Sequence, residues 1–207
     1  IGFLFAMFFS KKFTLAGPIR GLELVGYMMP MSVTALLGKN LFLLDGGVIN
    51  DLLMKMHIVS SPVDWLVNGS TALAAVIAVN CWVGIPFNML LLTSGLTGIS
   101  DDVYESASID GATSFQRFLY ITLPLMKSAM LSVLMLGFIY TFKAFDLMFI
   151  MTAGGPFNST DVLGTYAYSR AFTQYEFSQG STIAMILFIC LFCVGLFYLK
   201  LLGKEDD

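Results

Sequence analysis

The sequence predicts an all-α, polytopic transmembrane bundle of about five to six helices. Three observations predict it. The chain is 57% hydrophobic and 12% charged, where a soluble domain carries about a quarter charged residues. It contains four long apolar segments, each near the roughly 20 residues needed to cross a bilayer. Those segments lack the two-residue alternation of a transmembrane barrel, and lipid accepts only helices or closed barrels. The net charge of −3 comes with no basic stripe and no aromatic-basic interleaving, so nucleic acid is excluded as a partner.

The opening stretch, IGFLFAMFF, is too short to span alone and reads as the end of a truncated helix. A cleaved signal peptide is the rival, but no small-residue cleavage site follows, and Lys11-Lys12 reads as a cytoplasmic flank. The first full span is expected from about Leu22 to Leu44, with Pro30 inside it and Glu23 solvated near its inner edge. The second runs from about Thr71 to Leu96 and carries Asn80, Pro86 and Asn88. The third runs from about Ser128 to Thr152 with Lys143 and Asp146, and the last from about Ser181 to Leu202. Cys190 and Cys193 form a C-x-x-C inside that last apolar run. Zinc and redox chemistry need accessible thiolates and polar surroundings, so these two, like Cys81, read as helix-packing residues.

Two loops separate the spans on one side, at 45–70 and 153–180. In the first, GGVINDLLMKMHIV reads as a short amphipathic helix followed by a turn, with Trp65 in an interfacial aromatic belt. The lone His57 has no ligand cluster near it and reads as a surface histidine. Asn68-Gly69-Ser70 and Asn158-Ser159-Thr160 match glycosylation tripeptides, a weak signal outside a secretory eukaryotic protein. The second loop opens TAGGPFNST, a tight turn returning the chain to the membrane. No G-x-x-x-x-G-K-[ST] occurs anywhere, so the chain carries no nucleotide-hydrolysing P-loop of its own. No serine-histidine, paired-aspartate or H-E-x-x-H set lies in the spans, which speaks against an intramembrane enzyme.

Basic residues set the orientation. Lys11, Lys12 and Arg20 precede the first full span, Arg117 and Lys127 lie between the second and third, and Lys200 and Lys204 close the last. With loops on alternating sides, these all fall on the cytoplasmic side, and so do the C-terminus and the loop 98–127. Lys55 and Arg170 fall opposite, with Lys39 near that edge.

Within that loop, Asp102-Val-Tyr-Glu105 has capping-box spacing with Asp as the cap, and Asp110-Gly111 supplies a left-handed stop. Thr113-Ser-Phe-Gln116 is a second capping box. It launches a helix with Phe115, Phe118, Leu119 and Tyr120 on one broad apolar face. Leu123-Pro124 then starts the next span, proline being tolerated in a first turn. Taken by themselves these residues describe two short helices that either dock on a protein or lie on lipid.

The same stretch resembles the cytoplasmic "EAA" loop of ABC importer permeases, whose pattern is E-A-A, three residues, G, nine residues, I-x-L-P. Glu105-Ser106-Ala107, Gly111 and Ile121-Thr-Leu123-Pro124 meet that spacing, with Ser106 as the single small-for-small departure. The resemblance implies a type I importer permease fold in a bacterial cytoplasmic membrane, the whole chain 1–207 forming one transmembrane domain. It implies contact between Glu105, Ser106, Ala107, Asp110, Gly111, Ile121, Leu123 and Pro124 and an ATPase subunit. Two such ATPases, which bind the ATP and magnesium, a second permease and an extracytoplasmic solute-binding protein are the implied partners, beside membrane lipid. This chain itself is implied to hold no cofactor and to perform no chemistry.

WVGIPFNMLLLTSGL, FKAFDLMFIMTAGGP and YEFSQGSTIAMILFI are similar to the carbohydrate branch of these permeases, of the maltose-transporter first-permease type, which implies a sugar substrate. Family members begin further upstream, so the chain reads as lacking N-terminal residues. Polar or cavity-forming residues within spans are pathway candidates. Asn80, Gly84 and Phe87 recur at i, i+4, i+7, and so do Gly137, Thr141 and Ala144, beside Tyr140. An amide, a gap and an aromatic ring suit a sugar, and the two stripes match the positions at which the maltose-type permease holds its ligand. Thr141 and Ala144 stand where that relative has asparagines. Packing of small residues between helices explains the same pattern. Lys143 and Asp146, three apart, read as an ion pair or a polar pore edge. An ion-coupled secondary carrier is the rival transport class, and it would require mid-span charges and inverted repeats.

Overall fold

The computed structural model describes residues 1–10 and 16–202, and every regular element among them is helical. Lys11, Lys12 and Lys204, three of the orientation-setting cations, and the side chain of Glu23 lie outside the described set. The chain folds as two compact units. One contains Ile1–Tyr27, Gly84–Phe138 and the C-terminal segment from Val194; the other contains Met28–Val83 and Ile139–Cys193.

In the first unit, α1 (Gly2–Ser10) lays Ala6 and Phe9 against Met89 and Leu92 of α5 (Gly69–Thr97) and against Met126. α5 is long and apolar enough to cross a membrane alone, as is α12 (Phe177–Leu202). α5 runs unbroken through Pro86, as its expected span required. It approaches α9 (Lys127–Phe142) closely at Gly95, where an added Cβ would come within 2.7 Å of Ala129 Cβ. Ser132 and Tyr198 share a 2.8 Å hydrogen bond that ties α9 to α12.

The second unit is built on α3 (Met31–Leu41), α4 (Val48–Lys55), α10 (Asp146–Thr152) and α11 (Leu163–Tyr168). Its core joins Ala35, Phe42, Ala75, Val76, Val79, Leu147 and Met151. Gly38 lets α3 meet α5, since a Cβ there would lie 2.7 Å from Val79 Cγ2.

Several expectations change. The first span is not continuous: α2 (Ala16–Met28) stops, and Pro30 becomes the N-cap of α3. The residue before a proline is driven out of helical backbone, which ends α2 at Met28. The third span breaks as well, at residues 143–145, and no proline or glycine causes it. Phe145 leaves helical geometry (φ −124°, ψ −56°), its ring stacked on Phe149 at 5.1 Å and against Tyr168 at 5.3 Å. That turn lets α10 insert Leu147 and Met151 into the core.

Lys143 therefore sits in the break, while Asp146 opens α10, where a carboxylate favours the helix dipole. Among the described residues no ion pair joins them; Arg170 and Glu176 do form one. The three cysteines are exposed in this chain rather than packed within it. Trp65 is half-buried, with its ring 5.6 Å from Phe42. The predicted amphipathic helix of the 45–70 loop is present as α4, and His57, just beyond it, is exposed with φ 57°.

Candidate functional site

The loop after α5 is built by local rules. α6 (Asp101–Ile109) begins two residues earlier than the expected box, with Ser100 rather than Asp102, in extended backbone, as its N-cap. The Asp102–Glu105 box does not form, because Asp102 is already inside the helix; Asp101 and Asp102 instead supply first-turn charge. The stop is as predicted. Gly111 has φ +79°, Gly111 N–H donates to Ser108 O at 3.2 Å and Ala112 N–H to Ala107 O at 2.9 Å. That pair of bonds is a Schellman motif, which requires the left-handed glycine.

Thr113 then caps α7 (Ser114–Arg117). Gln116 N–H donates to Thr113 Oγ1 at 3.3 Å, and Thr113 N–H donates to Gln116 Oε1 at 2.8 Å. The helix continues through a π-turn, Phe118–Thr122, into α8 (Leu123–Leu125). The π-turn directly precedes Pro124, whose ring would clash with Tyr120 O in a regular α-turn. The next helix starts at Lys127 after a 64° bend, so Leu123-Pro124 closes the short helix rather than opening the span.

Two cross-links fix the angle between these helices. Arg117 Nη1 donates to Ser108 Oγ at 2.7 Å, and the Tyr104 and Thr122 hydroxyls lie 3.0 Å apart. Sequence reasoning missed all four residues as a set; the signal was a polar side chain on the inward edge of each capped helix. Glu105, Ser106, Asp110, Gly111 and Pro124 are exposed, and Ala107, Ile121 and Leu123 partly buried. The predicted apolar face divides. Phe118 turns in toward Phe3, with ring centroids 6.1 Å apart, while Phe115 (71% exposed), Tyr120 (73%) and Ile109 (87%) face out. Asp110, Gly111, Ala112, Gln116, Arg117, Tyr120 and Ile121 line a cleft of about 310 Å³ on this surface.

The two intramembrane stripes fare differently. Asn80, Gly84 and Phe87 keep their helical spacing on α5. A Cβ added at Gly84 or at Gly137 would meet nothing within 4 Å, unlike one at Gly38, Gly95 or Gly180. Within this chain the two stripe glycines thus leave space rather than close a helix contact. Phe87 stacks on Tyr27 at 5.5 Å. Gly137, Tyr140 and Thr141 lie on α9, but Ala144 falls in the break beyond its end, so the second stripe ends at Thr141.

The other loops hold polar groups that the sequence did not announce. Asn50, 1% exposed, donates from Nδ2 to Leu43 O, Leu44 O and Val63 O at 3.1, 3.3 and 3.0 Å. Its Oδ1 accepts from Val63 N–H at 3.1 Å and Trp65 Nε1–H at 2.9 Å. Thr160, 2% exposed, donates to Gly155 O at 2.8 Å and lies 2.6 Å from Thr152 Oγ1. Asp161 Oδ1 accepts from Thr165 Oγ1. The Tyr166 hydroxyl accepts from Arg170 Nε and Nη2 at 3.2 and 2.9 Å. That bond first, then Glu176, holds the Arg170 guanidinium above its ordinary pKa. Thr141, Phe142, Asp161, Val162, Leu163 and Tyr166 line an open pocket of about 450 Å³.

A family model described as "Binding-protein-dependent transport system inner membrane component" matches residues 1–202. The chain belongs to this family. The family's membrane location agrees with the two spanning helices. The trehalose/maltose transport system permease protein MalF of Thermococcus litoralis is 31% identical over 200 residues, covering 97% of this chain and 67% of that protein. The sulfoquinovosyl glycerol transport system permease protein SmoG of Agrobacterium fabrum is 30% identical, covering 100% and 66%. The chain spans about two thirds of the length of these curated relatives. A bacterial ABC transporter that imports the acidic polysaccharide alginate shares the fold at a TM-score of 0.88 and 18% identity, over 100% of this chain and 72% of that one.

Proposed function

We propose that this chain is a membrane-spanning permease subunit of a binding-protein-dependent ABC sugar importer. It forms half of the translocation pathway and performs no chemistry itself. Two ATPase subunits dock on its cytoplasmic loop, a second permease completes the pathway, and an extracytoplasmic binding protein delivers the sugar. The observation that carries this reading is the 101–125 helix pair. Its angle is fixed by internal hydrogen bonds, yet it leaves Ile109, Phe115 and Tyr120 open. A lipid-lying linker has no need of the Schellman stop, the capping box and the Arg117–Ser108 bond together, whereas a rigid lever does.

Glu105, Ser106, Ala107, Asp110, Gly111 and Pro124 contribute to the docking surface, and the half-buried Ile121 and Leu123 support it. ATP-driven closure switches the pathway only insofar as the ATPase binds one permease state better than the other. The substrate path takes Asn80, Gly84, Phe87, Gly137, Tyr140 and Thr141, with Ala144 at its outer limit. The C-terminus lies on the same side as the helix pair. An ion-coupled carrier gains nothing from Lys143 and Asp146, which are exposed and unpaired with each other at a helix break. The test is co-purification of the ATPase subunit and solute-stimulated ATP hydrolysis. Glu105→Lys and Gly111→Pro should each abolish both; retention of both activities would overturn the docking assignment.

A further inference from the structure

We propose that the 450 Å³ pocket between the end of α9 and the start of α11 is a subsite for an uncharged sugar, with Asp161 as its hydroxyl acceptor. The inference rests on the sugar-import reading and adds to it a place and a charge preference. The pocket falls in the 300–1,000 Å³ range of small-molecule sites. Thr141 brings it to the end of the second stripe; Asp161, Leu163 and Tyr166 belong to no stripe, because they follow the TAGGPFNST turn.

Its lining combines three features a sugar uses: a carboxylate, a hydroxyl and aromatic surface from Phe142 and Tyr166. Asp161 is held in place. Its Oδ1 accepts from Thr165, and a Cβ on Gly154 would lie only 3.0 Å from that oxygen. Among the described residues its Oδ2 takes no hydrogen bond, so a positioned charged acceptor remains for adjacent sugar hydroxyls. Hydrogen bonds to an ionised acceptor are about twice as strong as neutral ones.

The same carboxylate sets the charge preference. Asp161 is the charged side chain among the pocket's lining residues. The neighbouring cation, Arg170, is engaged by Tyr166, Gln174 and Glu176. An acidic sugar would set its anion against Asp161, with no cation among the lining residues to offset it. A neutral sugar meets an acceptor alone.

The test uses the full-length chain in the assembled transporter, in membrane vesicles, with Cys81, Cys190 and Cys193 replaced by serine. Leu163→Cys, or Phe142→Cys should the first variant not assemble, is labelled with a membrane-impermeant maleimide. Glucose, maltose and trehalose are compared with an alginate disaccharide as protectants. At least one neutral sugar should slow labelling while the uronate disaccharide does not. Asp161→Asn, which keeps an acceptor for Thr165, should raise the half-protecting concentration about tenfold. Protection by no neutral sugar, equal protection by the uronate, or an unchanged Asp161→Asn response would each overturn the proposal. ATPase co-purification and ATP-driven uptake, measured on the same vesicles, report separately on the importer reading.

Discussion

The loop after α5 and the loops that follow α3 and α10 are of similar length, but they spend their polar groups in opposite ways. In residues 101–125 no residue of α6 or α7 is buried, and large apolar side chains, Ile109, Phe115 and Tyr120 foremost, stand in the open. In the other two loops Asn50, Thr160 and Thr165 are buried and hydrogen-bonded inside the chain itself. Both regions expose large apolar side chains, Phe157 and Tyr175 in the 153–180 loop as much as Ile109 and Tyr120 in the helix pair. They differ in that the loops after α3 and α10 bury polar groups in their own packing, whereas α6 and α7 keep theirs at the surface. Stability and coupling should therefore respond to mutation in opposite places.

The largest stability effect should come from Asn50→Leu. It strands three carbonyls and the Val63 and Trp65 N–H groups in a buried site, at about 3 kcal/mol or more. Thermal unfolding of the detergent-purified complex reads it; an unmoved midpoint would break the contrast. Thr160→Val keeps the shape but removes the donor to Gly155 O, and should cost about 1–2 kcal/mol by the same assay. Thr113→Ala removes the α7 cap and should cost about 1 kcal/mol. That loss should surface as faster amide exchange confined to residues 113–122 rather than as global unfolding. The smallest stability change, within about 0.5 kcal/mol, is expected for Ile109→Ser, since Ile109 is 87% exposed. Yet this variant should release the ATPase subunit. If it instead destabilises the permease and leaves the ATPase bound, the surface is a lipid contact.

Much of the 101–125 segment was legible because its geometry is set by neighbours in sequence. Thr113 reaches Gln116 three residues away, and Gly111 takes the left-handed backbone that closes α6. Placing the α6 cap at Asp102 rather than Ser100 is a shift within the reach of competing acceptors at Ser100 and Asp101. Placing the span's start at Leu123-Pro124 missed a bend that comes two residues later. Asn50 was not legible, because its partners at 63 and 65 lie across a turn whose path only packing fixes. The close approaches at Gly38, Gly95 and Gly180 share that origin: each is small because of what another helix brings to it.

The sequence by itself determined the all-helical membrane fold, the long helices α5 and α12, and the capped, glycine-stopped pair between the second and third spans. These follow from composition, from lipid's demand for internally bonded backbone and from capping chemistry acting over three or four residues. Only the tertiary structure decided that the third span breaks at 143–145 and that Asp161 and Tyr166 gather beside Thr141. The physical reason is that nothing in the local chemistry of Lys143-Ala144-Phe145 opposes a helix. The break is set by the burial of Leu147 and Met151 against Ala35, Val76 and Val79, residues brought close by the fold and far apart in the chain.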